Sequence, residues 1–241
     1  MKAVMKTFLV VSASTFLWIA ALPFVANADE SGHPPYIVRG NNHILIGVSL
    51  DETAVRAVLP AGIEPTEGVT GGYNVYRSGG GYNTPAFTRA YVWADVEGHD
   101  SASGSKGRWV LWGVTGPGAE RSQADGYDIH DGSAALIEHG ATITGTAEQN
   151  GSKILRVEIE RGDGGCTPTA GMSNYLVTLP ATGKLAMHQY LFAADICGAT
   201  PVSIEVLVGN DHPLAKFKPT ALLWAVQAKD LSFAGFTTAL E

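Results

Sequence analysis

The residues best suited to chemistry in this 241-residue chain lie in one stretch, Ala124-Asp-Gly-Tyr-Asp-Ile-His-Asp-Gly-Ser133. If Tyr127 to Asp131 is extended, Asp128 and His130 stand at the i, i+2 spacing and share a face. An imidazole held by a carboxylate is an orienter–base pair that can move a proton near neutral pH. Asp125 supplies a further carboxylate and Tyr127 a phenol in the same stretch. The competing reading is a polar loop in which Asp131 or Ser133 caps a following helix. No lysine occurs between Lys106 and Lys153, so amine chemistry has no nucleophile in this region.

Arg89 is the second candidate. In Ala86-Phe-Thr-Arg-Ala-Tyr-Val-Trp93, strand alternation puts Thr88, Ala90, Val92 and Ala94 on one face and leaves Arg89 with Phe87, Tyr91 and Trp93. A guanidinium among aromatics can bind a substrate carboxylate by a two-pronged hydrogen bond. The alternatives are an ion pair with Asp95 or a side chain that reaches solvent past the rings. Tyr91, Trp93, Trp109 and Trp112 are candidates for the wall of an apolar cavity, with core packing as the other role open to them. Asp128 and His130, with His139 or His188, have the atom types of metal ligands. The sequence has no H-E-x-x-H, no H-x-H and no cysteine ligand spacing, so no metal and no cofactor is expected. A G-x-S-x-G elbow is also absent.

The elements that must position these groups read as strands. Short β-rich runs at 44–50, 73–77, 87–95, 108–115, 141–149, 153–161, 173–179, 184–193, 202–208 and 222–233 are separated by turn residues, and glycine is frequent at 29 residues. In 153–161, Ile154, Arg156, Glu158 and Glu160 share one face and Leu155, Val157 and Ile159 the other, the pattern of a half-buried strand. Asn150-Gly151 fits a tight hairpin turn between two such runs. Two short helices are expected, one at 51–59 opened by Asp51 and stopped by Pro60, and one at 133–139 between Ser133 and Gly140.

Residues 1–28 have a basic start (Lys2, Lys6), an apolar stretch and the ending Ala26-Asn-Ala28, the three parts of a secretory signal peptide. The expectation is a secreted, periplasmic protein with a flexible leader at 29–35 and one domain over 29–241. Without the signal the formal charge moves from −7 to −9. Lysine and arginine are scattered singly, so no nucleic-acid partner is expected, and no membrane span follows the signal. The mature part has two cysteines, Cys166 and Cys197, and in an oxidising compartment these are expected to form a disulfide.

Three further segments carry a resemblance. Ile44 to Glu64, ILIGVSLDETAVRAVLPAGIE, resembles the opening of the acetoacetate decarboxylase family, including its "VP-x-x-L-E" turn. Gly107 to Arg156 can be laid on that family's central region without a gap. Asp211-His-Pro-Leu-Ala215 is similar to its "DH-x-x-A-P-L" segment. The resemblance implies a mainly β (α+β) fold, an acetoacetate decarboxylase-like barrel or cone with a few short helices. It also implies a changed site. The gapless register puts Gly132 and Ser133 where the family has its Schiff-base lysine and the neighbouring lysine, and Asp125 and Gly126 at its Arg-Glu pair; the glutamate of the family's "Tyr-x-Glu" strand falls on Arg89. Asn41 falls at the position of an arginine near the N-terminal strand.

Two functions fit. One is an exported lyase or isomerase acting on a small carbonyl or carboxylate compound by general acid–base chemistry rather than through an imine. His130, Asp128 and Asp125 are its candidate catalytic groups, and Arg89, Tyr127, Tyr91 and Trp112 its candidate substrate contacts. The other is a non-catalytic binder of a small, partly apolar ligand. A homo-oligomer is compatible with both.

Overall fold

The computed structural model describes residues 36–82 and 84–240. The signal-peptide and leader segments expected at 1–28 and 29–35 lie outside the described residues.

The chain enters as strand β1 (Tyr36–Ser49), followed by helix α1 (Glu52–Arg56), β2 (Thr70–Ser78), β3 (Gly81–Tyr82), β4 (Phe87–Val96) and β5 (Gly107–Gly116). Helix α2 (Glu120–Ala124) leads to β6 (Ile129–Asp131), β7 (Ser133–His139), β8 (Thr142–Gln149), β9 (Ser152–Thr178) and β10 (Leu185–Val206). A 3₁₀ turn (Pro213–Phe217) precedes β11 (Ala221–Ala239). At the start of α1 the Asp51 carboxylate accepts from the Ala54 N–H at 2.8 Å, satisfying one of the orphan donors of the first turn. No helix among the described residues is long and apolar enough to cross a membrane.

Two long strands absorb four expected short ones. The runs at 153–161 and 173–179 are both parts of β9, and those at 184–193 and 202–208 are both parts of β10. The glycine-rich interval between the first two stays paired to β10, where Cys166 lies opposite Cys197 and the two form a disulfide.

The segment expected as a helix at 133–139 is strand β7, antiparallel to β8. Its burial alternates, with Ala134 buried, Leu136 half-buried and Ala135 and Ile137 exposed. Gly140, at a φ of 64° in the left-handed region, turns the chain so that His139 faces Thr142. Pairing with β8 therefore overrides a weak local helix signal, because seven residues are too few to hold an isolated helix. The turn at Asn150-Gly151 is formed, with φ of 52° and 75°, as a two-residue hairpin with positive φ at both central positions requires.

The sheet runs in the order β6-β5-β4-β2-β1-β11-β10-β9-β8-β7. It closes on itself where β5 meets β9 in parallel, Arg108 opposite Tyr175 and Trp109 opposite Leu176. Strands β5, β4, β2, β1, β11, β10 and the C-terminal part of β9 thus form a ring. Outside that ring, β7, β8 and the first part of β9 fold back over β1, β2 and β4. Ile44, Ile46, Val75, Ala90 and Val92 meet Ile143, Leu155, Val157 and Ile159 in the main core. Strands β1, β2, β4 and β5 therefore each have one face in this core and one towards the ring's interior, and side-chain alternation does the sorting.

A β-carbon at Gly47 on β1 would collide with the indole of Trp224 on β11. Only glycine lets that ring lie across the neighbouring strand.

Candidate active site

The ring encloses a cavity of about 530 Å³. Strand β4 points Phe87, Arg89 and Tyr91 into it and turns Ala90, Val92 and Ala94 to the main core, the division expected from alternation. The Arg89 guanidinium lies 4.9 Å from the centre of the Phe87 ring. It donates to the hydroxyl of Ser122 at 2.5 Å and, more weakly, to that of Thr115 at 3.5 Å. Helix α2, which carries Ser122, also sends Arg121 to the cavity wall, where it donates to Thr84.

Strand β5 contributes Arg108 and Val110, and beyond them Thr115. The change from even to odd positions reflects a bulge: Val92 is paired with Trp112, but the adjacent Trp93 with Val110, leaving Leu111 without a partner. A bulge re-aims the side chains that follow it. Trp112, a candidate substrate contact, is thereby turned away from the cavity into the main core. Arg108 stays inside, its guanidinium 4.8 Å from the Trp93 ring centre.

A continuous polar chain runs round the wall. His43 Nδ1 lies 3.3 Å from the amide nitrogen of Asn74, which donates to the Tyr91 hydroxyl at 3.0 Å. The Tyr91 and Tyr175 hydroxyls are 2.8 Å apart, and Arg108 donates to Tyr175 at 3.0 Å. With the Asn74 amide as donor, His43 Nδ1 is the acceptor and Nε2 carries the proton. His43 Nε2 is buried without a protein partner. The imidazole is stacked on Tyr76, with centroids 4.1 Å apart and planes at 12°.

Burial pushes the His43 pKa from 6.5 down to about 3, against a smaller opposing effect of the Asn74 hydrogen bond, and the Arg89 charge adds to the lowering. Burial likewise raises Tyr76 to about 12 and holds Tyr91 well above the usual phenol range. At neutral pH the wall therefore presents a neutral imidazole and protonated phenols. Three arginines and two carboxylates, Glu120 and Asp125, are the charged side chains among its described residues. None of the described lysines lines it.

The stretch 124–133 is divided between two environments. Asp125, Tyr127 and Ile129 line the cavity. The Asp125 carbonyl is held by His188 Nε2 at 2.8 Å, and the Tyr127 hydroxyl lies 2.8 Å from that of Tyr190. Asp128 and His130 do pair, at 2.9 Å, but on the other side of the strand. The His130 ring stacks on Trp112 at 5.4 Å, and neither residue is among those that line the cavity. His139 is exposed at the end of β7, and the described residues include no group of three or more His, Cys, Asp or Glu side chains placed to hold a metal ion. A β-carbon at Gly132 would come within 2.8 Å of both the Glu148 carbonyl and Val114. A side chain at that position would enter the main core rather than the cavity, so the gapless register does not locate the lysine site.

Of the sequence candidates, Arg89, Tyr91, Tyr127 and Asp125 meet round one cavity, while His130, Asp128 and Trp112 are placed elsewhere. His43, Asn74, Arg108, Arg121 and Tyr175 were not singled out by the sequence. Asn74 carries a weaker form of the Arg89 signal, a polar residue between Tyr73 and Val75, whereas His43 directly follows Asn41 and Asn42 and has none.

Fourteen chains of solved structures match this fold. Acetoacetate decarboxylase from Legionella pneumophila subsp. pneumophila str. Philadelphia 1 superposes with a TM-score of 0.69 at 11% identity, covering 86% of this chain and 88% of that one. The enduracididine biosynthesis enzyme MppR gives a TM-score of 0.67 at 11% identity, over 87% and 89% of the two chains. An acetoacetate decarboxylase-like enzyme from Sphingomonas wittichii RW1 gives 0.59 at 17% identity, over 87% and 94%. The protein has the acetoacetate decarboxylase-like fold. No protein-family model and no curated protein sequence matches the chain.

Proposed function

We propose that the protein is an enzyme that takes a small carbonyl-bearing carboxylate into the ring cavity and acts on it as a lyase or isomerase, by proton transfer rather than through an imine. The observation that carries this reading is a cavity walled by Arg89, Arg108 and Arg121, with His43 and buried phenols beside them and no described lysine. Arginines suit a carboxylate because their planar fork matches its two oxygens. Proton donors aimed at a carbonyl oxygen stabilise the charge that develops there. Asp125 and Glu120 are the cavity carboxylates that can accept a proton, and the neutral His43 offers its Nε2 proton as a donor. MppR, which shares the fold, has been obtained in complex with pyruvate and with the condensation product of pyruvate and imidazole 4-carboxaldehyde, and these are ligands of the proposed class.

The test is a panel of 2-oxo and 3-oxo acids assayed for turnover, with borohydride added in parallel. Turnover without a covalent adduct is the expected result. A reduced adduct on any lysine overturns the imine-free mechanism, and the absence of both turnover and binding overturns the enzyme reading. We also propose that residues 1–28 direct export to the periplasm and are removed. N-terminal sequencing of the protein from a periplasmic fraction is expected to begin near Asp29.

A further inference from the structure

We propose that the physiological ligand is a carboxylate with an extended apolar chain or ring, not a three- or four-carbon acid. This proposal rests on the carboxylate reading given above and adds the rest of the molecule.

The cavity has two unlike walls. Strands β4 and β5 with helix α2 supply Arg89, Arg108 and Arg121. On the far side of the ring, β1, β11 and β10 supply Leu45, Val226, Leu231, Phe233, Phe192 and Ile196. The order of strands makes this an opposition, since β4 and β5 are separated from β11 and β10 by β2 and β1 in one direction and by β9 in the other. A ligand whose anionic end meets the arginines therefore points its remainder at aliphatic and aromatic side chains.

Volume argues the same way. Cavities of about 300 to 1,000 Å³ enclose drug-sized molecules, and this one is about 530 Å³. A pyruvate-sized acid held by the arginines would leave the apolar wall facing water. Small residues keep that space open: Ala228 on β11 and Ser173 on β9 line it. An apolar body filling the space would gain about 0.8 kcal/mol per buried methylene, which is roughly fourfold in affinity.

The experiment is calorimetric titration of the mature chain with straight-chain 2-oxo acids, from pyruvate through 2-oxooctanoate, and with phenylpyruvate. Affinity is expected to rise by roughly three- to fourfold per methylene until the cavity is full, and phenylpyruvate is expected to bind more tightly than pyruvate. Val226→Trp and Leu45→Phe, which fill the apolar side from two different strands, are expected to flatten the series. A flat or falling series for the unaltered chain overturns the proposal. The ketone 2-octanone separates this failure from failure of the carboxylate reading. Equal affinity for the ketone and the acid overturns the role of the arginines, whereas a flat series of acids that all bind overturns only the extended chain.

Discussion

The hydroxyls of Tyr91 and Tyr175 lie 2.8 Å apart and join strands β4 and β9 through the interior of the ring. Each phenol also accepts from a nitrogen donor, Tyr91 from Asn74 and Tyr175 from Arg108. A phenol has one proton to give. The bond between the two hydroxyls uses one of the pair's two protons, and the other is left to donate to a ligand oxygen in the cavity. The arrangement is thus both a cross-ring brace and a ready hydrogen-bond donor for a developing oxyanion.

The brace has a measurable strength. Tyr91→Phe and Tyr175→Phe are each expected to destabilise by about 1–3 kcal/mol, because each leaves a buried polar partner without its bond. The double variant is expected to cost less than the two single changes together, since the second substitution removes the group that the first left unpaired. Urea unfolding of the four proteins measures this. Strict additivity would show that the two hydroxyls do not interact.

His43 makes stability depend on pH in a defined window. Burial holds its pKa at about 3 in the folded chain, against 6.5 as the ordinary value. Between these values the unfolded chain binds a proton that the folded chain refuses. Stability therefore falls as pH falls through this window, by up to about 1.4 kcal/mol per pH unit from this one group. His43→Gln, which keeps an amide to meet Asn74, is expected to reduce the loss measured by urea unfolding between about pH 7 and about pH 4.5. An unchanged acid sensitivity would show that His43 is not the group responsible.

Alternation made much of this wall legible in the sequence. It put Arg89 and Tyr91 on one face of β4 and the small residues Ala90 and Ala94 on the other, as the structure has them. It could not place Trp112, because the bulge at Leu111 that turns this side chain outward depends on the register between β4 and β5. The phase of 127–131 was illegible for a related reason. Asp128 and His130 share a face in any extended segment, but which face looks into the ring is fixed by pairing with β5, where Ile129 lies opposite Gly113. The polar chain from His43 to Arg108 draws on β1, β2, β4, β9 and β5, and no spacing within one segment announces it.

The disulfide links β9 to β10 at paired positions, with Cys197 buried and Cys166 exposed. The two residues are 31 apart, and closing a loop of that size limits the unfolded chain by about 3–4 kcal/mol in the chain-entropy model. Cys166→Ser with Cys197→Ser is expected to lower stability by about that amount in urea unfolding. Reduction of the unaltered chain should have the same effect, and reductant should leave the double variant unchanged. A response of the variant to reductant would assign the effect to something other than this bridge.

Which face of 127–131 meets the cavity can be tested by adding an amine to the cavity wall, which none of the described lysines lines. Ile129 is almost fully buried and lines the cavity. A lysine there would stand in a low-dielectric site whose wall already holds three arginines. Desolvation and neighbouring positive charge both lower an amine's pKa, and the neutral amine is the form that attacks a carbonyl. Ile129→Lys is therefore expected to yield a reduced pyruvate adduct when borohydride is added, detected by intact mass. His130→Lys is expected to yield none, because that position stacks on Trp112 behind the strand. The parent chain is the control for both. An adduct on His130→Lys but not on Ile129→Lys would reverse the assignment of the inward face, and with it would return Asp128 and His130 to the cavity.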